Sequence, residues 1–118
     1  MTPAALQWRL FRATLDPVLG SEQVGTRPVL VVSREVIHQA LPVVAVVPLT
    51  SLKPGRRVYS TEVLLPAGAA GQPEASLALA HQVRTISVRR LGSPFGELAD
   101  PQLRSRAREA LMVFLDFE

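Results

Sequence analysis

The run Val43-Val44-Ala45-Val46-Val47-Pro48-Leu49 is apolar almost without a break, and this stretch decides the fold. A short apolar run of this kind predicts a strand that is buried on both faces. β-branched residues also dominate Val29-Leu30-Val31-Val32-Ser33, which Arg27-Pro28 opens, and proline is tolerated at a strand start. These two runs predict neighbouring strands of a sheet, with one or two helical turns at 34–41 between them.

Further elements flank this pair. Alternating segments at 8–15, 58–65 and 77–86 predict three more strands, the last with a polar interruption at His81-Gln82. Segments 51–57 and 67–76 are rich in turn-forming residues and predict loops.

The end of the chain predicts an amphipathic helix. Asp100 is a good N-cap, and Pro101 suits the first helical turn. Apolar residues then recur at helical spacing: Leu103, Ala107, Ala110, Leu111 and Phe114. Asp100 and Arg104 lie one turn apart, so we expect them to pair.

The order of these elements predicts a mainly β fold. A doubly wound parallel sheet is disfavoured because strands and helices do not alternate along the chain. We expect a small antiparallel β-barrel of about five short strands, with the C-terminal helix across one end. The length of 118 residues fits one domain, 1–118.

Composition narrows the chemistry. The chain has no cysteine, which excludes disulfides and thiolate metal sites, and two histidines without clustered carboxylates are too few for a zinc site. We therefore expect no metal and no cofactor. No signal peptide or membrane span is apparent, which predicts a cytoplasmic protein. The net charge of +3 comes almost wholly from arginine, which suits nucleic acid or an acidic protein partner.

The segment Gly20-Ser21-Glu22-Gln23-Val24-Gly25-Thr26-Arg27-Pro28 holds groups able to act on a bound polyanion. A carboxylate lies five positions before an arginine, and the flanking glycines allow the loop to turn back sharply. Nothing in the sequence indicates that His38 or His81 belongs to a Ser-His-carboxylate set. Any catalysis is therefore expected to use carboxylate, guanidinium and hydroxyl groups.

The long segment from Leu15 to Ser33 resembles the signature of MazF/PemK toxins. Pro48-Leu49-Thr50-Ser51 resembles their second motif, and Glu62–Leu65 followed by Ala80–Ile86 resembles their third. Arg90-Leu91-Gly92 and the terminal helix complete a likeness that covers Leu15 to Phe117. The likeness implies an SH3-like β-barrel that forms a homodimer and cuts single-stranded mRNA at short motifs without a metal. It implies products with 2′,3′-cyclic phosphate and 5′-hydroxyl ends, and an acidic MazE-like antitoxin as partner.

The same resemblance implies site residues. Glu22 matches the proposed base, Arg27 the group that stabilises charge on the phosphate, and Thr50 a hydroxyl that binds a non-bridging oxygen. Gln82 and Arg84 match positions near the RNA-binding face, whereas His81 is expected to line the site or serve the structure. Ser21 belongs to the expected substrate-binding set. Arg56 and Arg57 are added to it from their place in the loop beside Pro54-Gly55, where contact with phosphates and simple solvation are both open.

The first strand departs from the family pattern. The family places Arg-Gly-Asp/Glu and an aromatic pair here, but this chain has Trp8 at the glycine position, Arg9 at the acidic position and Arg12 at one aromatic position. We expect Trp8 to pack in a core or dimer contact, and the arginines of the terminal helix to be solvated.

Two other functions remain open from the sequence. A CcdB-like toxin shares the fold and acts by binding DNA gyrase, without need of the Glu22, Arg27 and Thr50 set. A catalytically weakened module that only binds RNA or an antitoxin is the other alternative, and the altered first strand keeps it in view.

Overall fold

The structure, a computed structural model, describes residues 5–15 and 25–117. Within these residues the chain forms seven strands, two α-helices and two 3₁₀ turns, at Ala80–Gln82 and Val88–Arg90. The strands are β1 (Arg9–Thr14), β2 (Thr26–Val31), β3 (Val43–Ser51), β4 (Glu62–Leu65), β5 (Ser76–Leu79), β6 (Arg84–Ser87) and β7 (Leu91–Glu97); the helices are α1 (Glu35–His38) and α2 (Pro101–Leu115).

Strand β3 is the centre of the sheet, whose order is β4-β5-β3-β2-β1-β7 with β6 also paired to β3. One edge of β3 pairs with β2. Its other edge pairs first with β6, where Val46 lies opposite Arg84, and then with β5, where Leu49 lies opposite Ala78. All pairs are antiparallel, and Val44, Val46 and Leu49 are at most 1 % exposed. The strand predicted from the apolar run is thus confirmed, and it serves two sets of partners.

The two ends of the sheet, β4 and β7, approach each other without strand pairing. The segment 66–72 that follows β4 lies against β7, where a Cβ on Gly71 would sit 2.6 Å from the Phe95 carbonyl oxygen. Gly71 also has a φ of +85°, so glycine is required there for both space and backbone conformation. The buried Gln72 amide holds the segment by accepting from the Ala70 N–H at 2.9 Å and donating to the Pro66 carbonyl at 2.9 Å. Backbone packing, rather than a closed ring of strands, brings the ends together.

Alternation along the strands separates two apolar clusters. Leu30 joins a cluster beneath α2 that includes Trp8, Leu10 and Leu98, whereas its neighbours Val29 and Val31 point to the other face. From α2 the first cluster receives Leu103, Ala107 and Ala110. The second cluster is made of Ala13, Leu15, Val29, Val31, Val44, Val46 and Ile86. The mainly antiparallel β fold with a C-terminal helix is therefore confirmed.

Helix α2 begins as its sequence predicts. The Asp100 carboxylate accepts the Gln102 N–H at 2.9 Å, and Pro101 occupies the first turn. The predicted side-chain pair between Asp100 and Arg104 is wrong, because Arg104 reaches instead to the end of β7. Its Nη2 lies 2.8 Å from Glu97 Oε2 and its Nε donates to the Leu98 carbonyl at 2.6 Å. Neither helix of the described chain is long and apolar enough to cross a membrane.

The predicted strands differ from the observed ones in three places. Segment 77–86 is not one strand but β5, a 3₁₀ turn and β6, because the chain must change its partner region on β3. Segment 58–65 is a strand only at β4. Strand β7 was not predicted, since Gly92, Pro94 and Gly96 interrupt its apolar pattern; it pairs only with β1, and proline is tolerated on such an edge.

The unusual first strand begins with a strained residue. Trp8 has a φ of +68°, a conformation that glycine adopts readily and that costs other residues about 1–3 kcal/mol. Two backbone hydrogen bonds of 2.7 Å fix it, from the Trp8 N–H to the Val31 carbonyl and from the Leu98 N–H to the Trp8 carbonyl. This geometry explains why glycine suits the position, and it shows that tryptophan is accommodated under constraint.

The Trp8 ring compensates for that strain by packing. Its side chain is buried, which confirms the expectation of a core role, and the guanidiniums of Arg104 and Arg108 lie over the ring at 5.5 and 5.0 Å from its centroid. The expectation that these helix arginines are only solvated is therefore wrong. They cover an aromatic ring because both project from the side of α2 that packs on Trp8.

Candidate active site

Strands β2 and β3 bring two predicted catalytic positions towards each other. Their register pairs Val29 with Pro48 and Leu30 with Val47. If this register were continued two residues beyond its last pair, Arg27 would lie opposite Thr50. Both residues are half-buried, and both lie on the sheet face that carries Val29. The ladder itself stops at Pro48, which has no N–H to donate.

Thr50 opens into a polar cavity of about 460 Å³. The end of β3, the loop that follows it and the 3₁₀ turn after β5 form the walls. The lining residues are Thr50, Ser51, Lys53, Arg56, Leu79, His81 and Gln82. Three of the predicted site residues, Thr50, Arg56 and Gln82, thus share one cavity. The described lining residues provide two cationic side chains, two hydroxyls, an amide and an imidazole, and no carboxylate is found among these described residues, so this part of the cavity is suited to an anion.

Arg56 is held in place by a buried carboxylate. Its Nη2 lies 2.8 Å from Glu62 Oε2, and the side chain of Glu62 is 2 % exposed. The other carboxylate oxygen accepts the Tyr59 N–H at 3.0 Å. Burial alone would raise the pKa of Glu62, but the bonds from Arg56 and Tyr59 and the charges of Arg56 and His81 outweigh it, so the pKa is lowered. Glu62 therefore serves as a fixed anion that orients Arg56.

His81 lies in the 3₁₀ turn between β5 and β6. Its Nδ1 is 3.1 Å from Thr61 Oγ1, which sets the orientation of the ring. Lys53, Ser51 and His81 are lining residues that the sequence did not predict as functional. Lys53 was noticeable only as the single lysine, and His81 only through its position beside Gln82.

Two other predicted residues, Arg57 and Arg84, lie outside the cavity lining. Arg57 is exposed, with its guanidinium 5.1 Å from the centroid of the Tyr59 ring. Arg84 donates from Nη1 to the Leu15 carbonyl at 2.9 Å, which anchors the end of the described stretch 5–15. Glu22 and Ser21 lie outside the described residues.

A second polar group forms at α1, away from the cavity. Ser33 Oγ is 2.6 Å from His38 Nε2, and His38 Nδ1 is 3.3 Å from Glu35 Oε1. No pattern in the sequence indicates such a set, and its Ser33 and Glu35 side chains are engaged in binding backbone N–H groups. Ser33 Oγ accepts the N–H of Ala45 at 3.0 Å, and Glu35 accepts the N–H groups of residues 6 and 7 at 2.9 and 2.8 Å. This group ties the start of β1 to the segment that leads into β3.

Within residues 5–15 and 25–117, no three histidine, aspartate or glutamate side chains gather as metal ligands. An antiparallel sheet with a cation-lined cavity at the end of its central strand is the architecture of a small protein whose described site suits an anion.

Comparison with known proteins identifies the family to which the chain belongs. Residues 6–115 match the model of the PemK-like, MazF-like toxin of type II toxin–antitoxin systems. The chain is 33 % identical over 106 residues to Endoribonuclease EndoA of Bacillus subtilis, covering 90 % of each chain. It is 35 % identical over 112 residues to Endoribonuclease MazF9 of Mycobacterium tuberculosis, covering 91 % of this chain and 92 % of that one.

Solved structures agree. The Mycobacterium tuberculosis toxin MazF-mt6 superposes with a TM-score of 0.75 at 28 % identity, over 93 % of this chain and 98 % of that one. A mycobacterial endoribonuclease in complex with its cognate antitoxin has the same fold, with a TM-score of 0.77 at 24 % identity over 98 % of both chains. The chain belongs to the MazF/PemK toxin family.

Proposed function

We propose that this chain is the toxin of a type II toxin–antitoxin system and cuts single-stranded mRNA at short sequence motifs, in the cytoplasm and without a metal. Its relatives at 33 % and 35 % identity are named endoribonucleases. The observation that carries the proposal is the cavity lined by Thr50, Arg56 and Gln82 together with Lys53, with Arg27 on the adjacent strand. We assign this function to one domain, residues 1–118.

The proposed reaction needs no covalent enzyme intermediate. A base removes the proton of the ribose 2′-hydroxyl, the 2′-oxygen attacks the adjacent phosphorus, and the bond to the 5′-oxygen breaks. The products carry a 2′,3′-cyclic phosphate and a 5′-hydroxyl. Glu22 is the proposed base, a role that typically contributes about 10²–10⁴-fold. Arg27 and Thr50 stabilise the charge that develops on the phosphorane, and each well-placed donor of that kind contributes about 3–4 kcal/mol.

Substrate binding is assigned to the cavity and the loop beside it. Arg56 is already oriented by Glu62, so it can contact a phosphate with little loss of side-chain entropy. Arg57 flanks the exposed ring of Tyr59, which offers a stacking surface for a base. The remaining proposed contacts are Gln82, Arg84 and Ser21.

Two protein partners belong to the proposal. The first is an acidic MazE-like antitoxin, supported by the neighbour of the same fold that was solved with its cognate antitoxin. The cations of the cavity give such a partner a surface of opposite charge. The second is another copy of this chain in a homodimer. Exposed apolar side chains near the end of α2 offer a surface for that contact: Met112, Val113, Phe114, Leu115 and Phe117.

The test is cleavage of a long single-stranded RNA by the purified protein in EDTA, with the ends mapped. We expect discrete cuts that leave 2′,3′-cyclic phosphate ends. Arg27→Ala should slow cleavage about 10²–10³-fold, as removal of an oxyanion donor does. Arg106→Ala removes an exposed arginine from α2 and is the matched control, for which we expect the wild-type rate.

Intact RNA under these conditions would contradict the proposal. Inhibition of DNA gyrase with intact RNA would favour a CcdB-like toxin, and retention of uncut RNA would favour a binding module.

A further inference from the structure

His81 is the imidazole among the described lining residues of the Thr50 cavity. Imidazole is the side chain that enzymes use most often for general acid–base catalysis, whereas lysine and arginine stay charged and hydroxyls and amides stay neutral. The other polar side chains of the described lining belong to those other types: Thr50, Ser51, Lys53, Arg56 and Gln82. Among the described lining residues, His81 is therefore the side chain best suited to transfer a proton.

The position of the ring suits proton transfer. Thr61 Oγ1 lies 3.1 Å from Nδ1 of His81, and no described residue forms a hydrogen bond with Nε2 of the ring. In the doubly protonated ring, the Nδ1 proton is donated to Thr61 and the Nε2 proton stays available. The ring is half-buried in a short turn that packs against α2, so its position is fixed by the fold.

The charges around His81 come from several elements. Glu62 on β4 interacts with it electrostatically, and the cations Arg56 and Lys53 share its cavity. On the other side of Glu62, α2 contributes Arg106 and Glu109. Glu74 lies at the rim, where it accepts a hydrogen bond from Ser51 at 3.2 Å.

One step of the proposed reaction, the protonation of the leaving 5′-oxygen, has no residue assigned to it and needs a proton donor. When the phosphorus–oxygen bond breaks, the 5′-oxygen leaves as an alkoxide unless it receives a proton. A guanidinium is a poor proton donor because it stays protonated throughout the physiological pH range. Arg27 can therefore stabilise charge but is ill suited to protonate the leaving oxygen.

We propose that His81 is the general acid of the reaction, a role that rests on the proposed ribonuclease function. The Nε2 proton moves to the 5′-oxygen as its bond to phosphorus breaks, and the neutral ring regains a proton from water after release. The proton taken from the 2′-hydroxyl leaves with the separate base, so the step is balanced. His81, rather than a second function of Arg27, completes the acid–base pair.

The test uses two oligonucleotides that contain a cleavage site mapped in the long RNA. One has the ordinary phosphodiester, and the other has sulfur in place of the 5′-bridging oxygen, since a thiolate leaves without protonation. His81→Gln should cut the oxygen substrate about 10²–10³-fold more slowly than wild type. On the sulfur substrate we expect its rate to lie within about tenfold of wild type. Arg27→Ala removes a group that stabilises the phosphorane, so this variant should cut both substrates slowly.

A measurement on the unaltered protein makes the test independent of whether His81→Gln folds. The wild-type rate on the oxygen substrate should fall on the alkaline side of its pH profile, as the acid loses its proton, and the sulfur substrate should lack that fall. Equal defects of His81→Gln on both substrates, or the same alkaline fall on both, would overturn the general-acid role while leaving the ribonuclease function intact. Failure of wild type to cut either substrate would instead remove the proposed function itself.

Discussion

Two aromatic rings in this molecule are each flanked by two arginines, and they differ in burial. Trp8 lies beneath Arg104 and Arg108, with guanidinium-to-centroid distances of 5.5 and 5.0 Å. Tyr59 lies beside Arg56 and Arg57 at 5.7 and 5.1 Å. The chemistry of the two clusters is nearly the same, yet Trp8 is 5 % exposed and Tyr59 is 52 % exposed.

The difference shows that burial decides what such a cluster does. The Trp8 ring packs between β1 and α2 as part of the apolar core, so its contacts are made within the fold. The Tyr59 cluster lies in the loop between β3 and β4, beside the cavity, and only Arg56 is fixed, by Glu62. An exposed ring with neighbouring cations remains free to contact single-stranded nucleic acid.

The comparison is tested most strongly by truncating the two rings. Trp8→Ala should lower the free energy of unfolding by about 3–5 kcal/mol, the usual cost of removing a buried aromatic side chain. Relief of the strained φ does not offset this, because alanine also disfavours positive φ. Tyr59→Ala should change stability by no more than about 0.5 kcal/mol, as surface substitutions do. Urea denaturation followed by circular dichroism measures both values.

Trp8→Gly is the informative control for the first strand. It removes the same ring but accepts the backbone conformation, so it should be more stable than Trp8→Ala. Equal stability of the two variants would mean that the positive φ of Trp8 carries no cost.

The second prediction concerns RNA affinity instead of stability, and for this quantity we expect the Tyr59 ring to matter more than the Trp8 ring. Loss of one stacked base costs about 1–3 kcal/mol. Tyr59→Ala should therefore weaken binding of a single-stranded oligonucleotide about 5- to 150-fold, measured by fluorescence anisotropy. Tyr59→Phe keeps the ring and is the matched control, with affinity close to wild type. An unchanged affinity in Tyr59→Ala would show that the exposed cluster is only surface.

The sequence predicted the fold well where burial is continuous. The apolar run of β3 and the capped start of α2 were both found, because each follows from local residues alone. Strand β7 was not predicted because its glycine is required by contact with a segment distant along the chain. A Cβ on Gly96 would lie 3.0 Å from the Ala70 carbonyl oxygen. Contacts between segments distant along the chain leave no local periodicity to detect.

The candidate site could be predicted in part for the same reason. Thr50 and Gln82 follow from the family motifs and Arg56 from its loop position, and the three share a cavity. The sequence leads us to expect His81 only to line the site or serve the structure, because it predicts a strand with a polar interruption where the structure has a 3₁₀ turn. Arg104 was placed on the surface, because helical spacing alone does not show that Trp8 lies beneath it.

The smallest expected effect separates the arginines themselves. A guanidinium that lies over an aromatic ring stabilises the fold by about 0.5–1 kcal/mol at an exposed site, and by more where water is excluded. Arg108 has no described ion pair, so Arg108→Ala isolates that contact and should lower the free energy of unfolding by about 0.5–1 kcal/mol. Arg57→Ala, over an exposed ring, should leave stability within about 0.5 kcal/mol of wild type while weakening RNA binding. Denaturation in urea at low and high salt checks the assignment, because Arg108 is exposed and salt should weaken its contribution. A larger stability loss in Arg57→Ala than in Arg108→Ala would mean that the exposed cluster, and not the buried one, supports the fold.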